Sequence, residues 1–458
     1  MSILGILNIG ATALLASKSA LNTTSNNIAN ASTPGYTRQS VVFSNLPSGL
    51  ASLTGASGNG VIVSDVTRMY DSFTSLQLRT EQSASSYWNT YSNYAGSVEN
   101  VFNETSDTGI GPAITNFFNA WQQVAQDPGS TVQRTSLLNA GQYLASRVSG
   151  AYNNLADQQK QIYTNSQDLV TQVNKISQQI YNLNEKIVSS PGALDLKDQR
   201  DNLVEQLNQV TRVSTVQDGS GRYNVYLGGS VLVDATGSYN MSVSLDTNNA
   251  MQFNVGSANV NSSMSSGQLK ANLDARDTTM AGYITQLNTF ATDFSTAINA
   301  KQNVGYDLNG ALGNANPLGT SFFTAPTPPF AARDMAVVIK DPRLIAASGT
   351  STGVPGDNTN AQAIADLANS GFMGGSTPID FYSKIVANAG ADAQSANTYV
   401  KFQTSLVNQL ETQRQATSGV SLDEEAVNLV QYQKSFEAAA KMISVGNDLL
   451  DTIIGIVR

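Results

Sequence analysis

The string Gly349-Thr350-Ser351-Thr352-Gly353 has the G-x-S-x-G form of a serine nucleophile. That chemistry needs a strained strand-to-helix turn to expose the serine and a histidine to take its proton. The 458-residue chain has no histidine, and the string lies in low-complexity Ser/Thr/Gly sequence, so it reads as a chance match. Asp307-Leu308-Asn309-Gly310 hints at a calcium loop but lacks the remaining ligands and the bidentate Glu of the twelve-residue pattern, and an ordinary turn is expected. The carboxylates of Asp195 and Asp198 are expected on a solvated, charged helix face. Cysteine is absent too, which removes disulfides, thiolate nucleophiles and Cys/His metal sites. No Walker loop occurs, and no G-x-G-x-x-G follows a strand and opens a helix. The expectation is a protein that is not an enzyme and holds neither metal nor cofactor.

Charge points the same way. The balance of 25 Lys+Arg against 34 Asp+Glu gives a formal net charge of -9 with no compensating basic cluster, so neither nucleic acid nor an anionic membrane is an expected partner. Mean hydropathy is -0.17, and no run of membrane-spanning length is read in the sequence. Residues 3–16 are apolar, but nothing basic precedes them and the first cation, Lys18, falls beyond them; they read as a structural helix and not as a cleaved signal. Charged residues make up 13%, against the roughly 25% usual in soluble domains.

What remains is interaction chemistry. In the stretch SNNIANASTPGY, residues 25–36, Asn26 and Asn30 share a helix face and each amide both donates and accepts. Asn27 lies beside them. Pro34 disfavours a helical Thr33, and Gly35 permits the turn that leads to Tyr36. A capped helix end accounts for these residues; polar contact with neighbouring copies is the functional alternative.

Long helices must position this stretch. Leu7, Leu14, Leu21 and Ile28 recur every seven residues. At the other end of the chain Leu422, Leu429, Phe436, Ile443, Leu450 and Val457 do the same. A third ladder runs Val148, Leu155, Ile162, Leu169, Ile176 and Leu183. A sustained sevenfold repeat is the seam of a long helical packing, and an intramolecular bundle core is the reading for the middle ladder. Ser421 and Glu424 form a capping box, and Asp423, Glu424 and Glu425 suit the positive end of a helix dipole. Between helices the period drops to two. Residues 41–43 and 61–66 suggest a small hairpin, and 212–260 read as five short strands separated by Gly, Asp and Asn turns. Residues 301–360, rich in Gly, Pro, Ala and Thr, look like a loop or minimal insert and not a core.

The segment SNNIANASTPGYTRQ resembles the N-terminal motif shared by flagellar rod, hook and hook-associated axial proteins. The C-terminal SGVSLDEEAVNLVQYQKSFEAAAKMISVGNDLLDTIIGIVR and the internal LKDQRDNLVEQLNQV, GYDLNG and DPRLIAAS resemble the hook-associated members of that family in the expected order. Only about thirty residues separate the last two, where fuller members carry a β-rich outer domain, so that domain is reduced or absent. The resemblance implies a structural subunit of the bacterial flagellum, at the junction of hook and filament. Its partners would be copies of itself in a ring or helical zone, the hook protein and hook-associated protein 3. It would leave the cell through the flagellar type III export apparatus, bound beforehand by a cytoplasmic export chaperone, for which Leu429, Phe436 and Ile443 are the candidate contacts. A rod, hook or filament subunit of the same family is the alternative reading, and a secreted hydrolase a remote one.

The expected fold is mainly α with β insertions: a long helical bundle or coiled coil in which the N- and C-terminal helices pair, a helical second domain and a small β-rich projection. The expected boundaries are 1–70 with 418–458 for the terminal domain and 71–211 with 265–300 and 361–417 for the helical bundle. The β-rich insertion would occupy 212–264 and the reduced outer insert 301–360.

Overall fold

The computed structural model describes residues 3–46, 58–102, 108–314 and 321–457, the two outermost, Ile3 and Val457, by their backbone alone. The fold is mainly α, with long terminal helices that pack on each other and three small antiparallel sheets. The chain divides into two compact units, Met1–Ser83 with Val173–Asn240 and Thr404–Arg458, and Ala84–Gln172 with Met241–Gln403. This division runs along other lines than the expected four segments. A single 59-residue helix contributes residues to both units, and the β-rich stretch is shared between them.

In the first unit, α1 (Ile3–Asn30) is followed by a hairpin of β1 (Gln39–Asn45) and β2 (Val61–Arg68), then by the start of α2 (Ser72–Phe102). Helix α3 (Ile110–Gln126), which the sequence reading had not marked, belongs to the second unit. The long helix α4 (Thr131–Ser189) carries the middle ladder, with Val148, Leu155, Ile162, Ile176 and Leu183 buried and Leu169 half-buried. Helix α5 (Leu194–Val210) leads into a meander of β3 (Ser214–Gln217), β4 (Tyr223–Leu227) and β5 (Ser230–Val233). A second meander follows in the other unit: β6 (Met241–Leu245), β7 (Met251–Val255) and β8 (Ala258–Asn259). The remaining helices are α6 (Gln268–Asp274), α7 (Ala281–Val304), α8 (Thr359–Ala365), α9 (Pro378–Ser418) and α10 (Leu422–Val457).

Helices α1 and α10 run antiparallel: Leu7 meets Gly446, Gly10 meets Ile443, and Asn27 meets Glu425. Small residues set how closely two helices approach. A Cβ on Gly10 would stand 2.8 Å from Ile443 Cγ1, and one on Gly446 would stand 2.6 Å from Leu7 Cδ2. Ala16, Ala20 and Ala439 are buried in the seam. The large ladder residues Leu7, Leu14, Leu21, Ile28, Leu429, Phe436, Ile443 and Leu450 are only half-buried, because one partner helix covers one side of a big side chain. Leu422 is 57% exposed, and the side chain of Val457 lies outside the described residues. A further row on α10, including Val427, Val430, Val445, Leu449 and Ile453, faces solvent.

Two expectations need correction here. Within α1, Leu4–Asn30 is long and apolar enough to cross a membrane by length and composition, so the reading that no such run exists does not hold. Its Ile, Leu and Ala residues raise the mean hydropathy, although polar residues interrupt the apolar run. Residues 301–360, read as a loop and not a core, in fact supply core. Phe322 and Phe323 are fully buried in the second unit beside Phe117, Trp121 and Phe294, with ring centroids 4.9 Å apart for the Phe322–Phe323 pair. Gly141 makes room for them, since a Cβ there would come within 2.8 Å of the Phe322 ring. Irregular backbone carries these aromatics, so no period announces them. The buried Arg134 donates to the carbonyls of Pro128, Pro342 and Ile345 and ties the segment after Asp341 to α4.

Candidate assembly site

Helix α1 ends where Pro34 forbids its continuation. Residues 33–36 form a turn closed by Tyr36 N donating to Thr33 O at 3.2 Å, with Pro34 second and Gly35 third at φ +79. A type II turn wants that arrangement, because its third residue takes positive φ, which a side chain disfavours. The turn rests against α5: a Cβ on Gly35 would lie 3.2 Å from Asn202 Nδ2.

The turn folds Tyr36 back onto Asn27, which is buried and uses its whole amide. Its Nδ2 donates to Gln39 O at 2.9 Å and to Glu425 Oε2 at 3.1 Å, while its Oδ1 accepts from Tyr36 Oη at 2.8 Å and Gln39 N at 3.0 Å. Two donors and two acceptances saturate a primary amide, and neither Asp nor Leu of the same shape could do both. Burial, with the charges of Asp198 and Glu425 close by, pushes the Tyr36 phenol up to about 12, so it remains a donor.

Glu425, 1% exposed, is the C-terminal half of this hub. Arg38 Nε donates to Glu425 Oε1 at 2.7 Å and Arg38 Nη1 to Glu424 Oε2 at 2.9 Å, while its backbone N donates to Ser418 O at 3.0 Å. One residue therefore holds both sides of the joint between α9 and α10. The capping box forms by half. Ser421 Oγ accepts from Glu424 N at 3.5 Å, and the Glu424 carboxylate goes to Arg38.

Asp198 was expected on a solvated face and is instead buried, whereas Asp195 is exposed. Asp198 accepts from Thr37 N at 3.2 Å and Arg68 Nη1 at 2.7 Å. Arg68 Nη1 also reaches Asp201 at 2.8 Å, and Arg79 reaches Asp201 at 3.3 Å and Tyr70 Oη at 3.1 Å. Burial works against the Arg68 guanidinium, but Asp201 and Asp198 hold its pKa above the usual value. The charges buried here are paired, as buried charges must be.

The rest of the motif faces outward. Asn26, Thr33, Pro34 and Gly35 are exposed and Asn30 is half-exposed; Asn30 Nδ2 donates to Asn26 Oδ1 at 2.8 Å, and Thr33 Oγ1 donates to Asn30 Oδ1 at 3.2 Å. The turn separates two open clefts, of about 840 and 820 Å³. The structure thus brings Asn27 and Tyr36 together with the start of α10 and leaves Asn26, Asn30, Thr33 and Pro34 as a polar ridge. Leu429, Phe436 and Ile443 sit half-buried in the α1–α10 pair.

Sequence reasoning missed Arg38, Arg68, Asp201 and the buried role of Glu425. Arg38 stands within the shared N-terminal segment and so carried a signal; Glu425 was masked by its place in an acidic run suited to any helix start. No chemistry gathers at the other strings. Ser351 is exposed, and Asp307 closes a turn, accepting from Asn309 N and Ala311 N at 2.8 and 3.0 Å.

Comparison with known proteins sets this geometry in context. Residues 95–318 match the family model described as the flagellar hook-associated protein FlgK helical domain. Residues 7–37 match that of flagella basal body rod proteins, and 411–456 that of the flagellar basal body rod FlgEFG protein C-terminal region. The chain is 28% identical to flagellar hook-associated protein 1 of Bacillus subtilis, across 96% of each chain. It is also 28% identical to the Salmonella typhimurium protein of that name, across 98% of this chain and 99% of the other. Its fold resembles the flagellar hook junction protein FlgK from Burkholderia pseudomallei, with TM-score 0.64 and 19% identity over 74% of this chain and 99% of that one. The two short matches contain Asn27 with Tyr36 on one side of the hub and Glu425 on the other.

Proposed function

The chain belongs to the flagellar hook-associated protein 1 family, and from that premise we propose that it forms the zone joining hook to filament and is needed for filament assembly. It is a structural subunit of the bacterial flagellum. The observation that carries the finer reading is the closure of one unit by both ends of the chain. Asn27, Tyr36 and Arg38 from the N-terminal side engage Glu425 from the C-terminal side, and α1 and α10 pair along their length. Such a pair keeps one apolar row for itself and presents another outward, as a subunit packed among neighbours requires.

In this reading the exposed row of α10 and the polar ridge of Asn26, Asn30 and Thr33 meet copies of the same chain, with the hook protein on one side of the zone and hook-associated protein 3 on the other. The subunit reaches that place through the flagellar type III export apparatus. Before export, Leu429, Phe436 and Ile443 are covered by a cytoplasmic chaperone that receives α10 as an amphipathic helix in a groove.

The test is a deletion strain examined by gold-labelled antibody and electron microscopy. Cells without the protein are expected to carry bare hooks and to shed filament protein into the medium, and restored protein should label a single band at the hook tip. Label spread along the filament would reassign the chain to a filament-type subunit, and intact filaments in the deletion strain would refute the reading.

A further inference from the structure

Helices α6 and α7 are one continuous rod with an irregularity between them. Asp274, Ala275, Met280 and Ala281 all keep right-handed helical backbone, yet Ala275–Met280 form a π turn, in which Ala281 N donates to Arg276 O five residues back. Such a turn holds one residue more than an α turn, is rare, and occurs often at functional sites. Thr278 on its outer side is exposed, whereas Ala275, Arg276 and Met280 are buried.

The turn is bonded to three other elements of the second unit. Toward α2, Tyr87 Oη donates to Asp274 Oδ2 at 3.0 Å, and Tyr91 Oη and Thr279 Oγ1 share a hydrogen bond at 2.9 Å. Tyr87 and Tyr91 are four residues apart, and their rings stack with centroids 5.8 Å apart. Their partners Asp274 and Thr279 are five apart. On an α-helix a step of five residues overshoots a full circle by about 140°, at about 100° per residue, which puts the second residue on another face. The π turn closes that gap and sets both beside α2. Toward α4, Gln159 Nε2 donates to Arg276 O at 2.8 Å while Arg276 Nε donates to Gln159 O at 3.2 Å. Toward the second meander, Met251 N at the start of β7 donates to Asp277 Oδ2 at 2.7 Å. Burial raises the pKa of both phenols, and Asp274 adds to it at Tyr87, so each keeps its proton.

We propose that this π turn is a conformational relay between α2 and the β6–β8 meander: its extra residue lets one turn hold Tyr87 and Tyr91, Gln159 and Met251 at once, so a displacement of α2 reaches the meander. The link is short, since Thr279 meets Tyr91 only two residues after Asp277 meets Met251. A regular α turn keeps its carbonyls in its own ladder, and a side chain such as Gln159 enters the ladder only where it is opened. Hydrogen-bonded networks on rigid elements carry coupling of this kind. In a structural subunit the consequence is mechanical: a shift of α2 is passed to the meander and not absorbed between them.

Hydrogen exchange of the full chain tests the relay, read at the peptides holding Met251 and residues 276–281. Tyr91→Phe removes one hydroxyl from α2 alone. Exchange should rise at both peptides, at Met251 by at least about threefold, which is near the low end for residues coupled through one network. Deleting Thr278 removes the extra residue and none of the bonded ones. The turn then closes as an α turn and Asp274 and Thr279, now four apart, stay on one face. Met251 should exchange faster in this variant with Tyr91 intact, and adding Tyr91→Phe should change it no further. Asp277→Ala and Tyr91→Phe, singly and combined, give a second reading that needs no deletion: their losses in thermal midpoint should combine to less than the sum. Faster exchange at 276–281 with Met251 unchanged in Tyr91→Phe overturns the relay. Full protection of Met251 in the Thr278 deletion, or strictly additive midpoint losses, overturns it as well.

Discussion

Asn27 and Glu425 are 398 residues apart in sequence, and the Asn27 amide donates to the Glu425 carboxylate at 3.1 Å within the interior of the first unit. The same amide accepts from Tyr36 and takes both backbone bonds of Gln39. Docking of the N-terminal helix, the shape of the turn after it and the position of α10 are thereby read through one side chain. This explains why an asparagine stands at that buried position of α1.

Replacing Asn27 tests that claim. Asn27→Ala leaves four groups without their partner, and buried unpaired groups cost about 1–3 kcal/mol each before relaxation and water. Asn27→Asp puts a second carboxylate beside Glu425 and should be worse. Hydrogen exchange should show faster exchange at Gln39 and at the start of α10 in both variants. Unchanged exchange in both would show that the hub contributes nothing to docking.

Arg38→Ala should release the joint between α9 and α10. Glu425 would lose its cation while remaining buried, at a cost of about 3 kcal/mol, the low end for breaking a buried pair because Asn27 still donates. Limited proteolysis is expected to cut within residues 418–421 in the variant and not in the parent. Adding Glu425→Gln removes the unpaired charge and should restore part of the protection; a double variant as sensitive as Arg38→Ala would point away from charge as the cause.

The seam depends on small residues. Gly10→Leu places a side chain where Ile443 already stands, and overpacking of this kind costs about 1–3 kcal/mol. Leu429→Asp or Ile443→Asp adds an unpaired charge to an apolar contact and should cost several kcal/mol. Each of the three is expected to give hooks without filaments and filament protein in the medium. Wild-type swimming by all three would remove the seam from the assembled structure.

Export makes a separate prediction. A peptide of residues 421–458 should bind the flagellar export chaperone about as tightly as the full chain, and Phe436→Ala should weaken it by roughly 2 kcal/mol, near thirtyfold, if Phe436 is a central anchor. Because Phe436 is half-buried in the α1–α10 pair, a peptide of residues 3–30 should compete. Titration calorimetry that finds equal affinities for both peptides would exclude Phe436 as the anchor.

Acid should loosen one loop of the second unit in a defined window. The Ser348 hydroxyl, with the amides of Thr359 and Gly349, holds the Asp357 carboxyl at about 2, below its ordinary 3.8. A carboxylate whose pKa is depressed by folding stabilises the fold above its unfolded pKa, and the contribution disappears as pH falls through the folded one. Asp357→Asn should therefore lower the thermal midpoint at pH 6, and the gap from the parent should close between about pH 4 and pH 2. A gap that widens on acidification would contradict the sign.

Much of the architecture was legible in the sequence because it is local. The sevenfold ladders mark α1, α4 and α10, since apolar residues at that spacing fall on one helix face. The five short strands stand close to where alternation and turn residues put them. Pro34 and Gly35 specified their turn through backbone sterics that need no partner. Even the pairing of α1 with α10 followed from two long apolar stripes that had no neighbour in sequence.

What the sequence could not determine is which surfaces meet. Asp198 and Asp195 lie three residues apart on one helix, yet one is buried against Arg68 and Thr37 and the other is solvated. Glu425 and Glu424 are adjacent acids at one helix start, and only the approach of Asn27 and Arg38 buries the first. Phe322 and Phe323 sit in sequence with no period at all, and only the gap at Gly141 makes them core. A residue's periodicity and backbone preferences are set by its near neighbours, whereas its burial and charge partners are set by chain segments hundreds of residues away. For that reason the helices and turns of this subunit belong to the sequence, and the hub that locks its two ends together belongs to the tertiary structure.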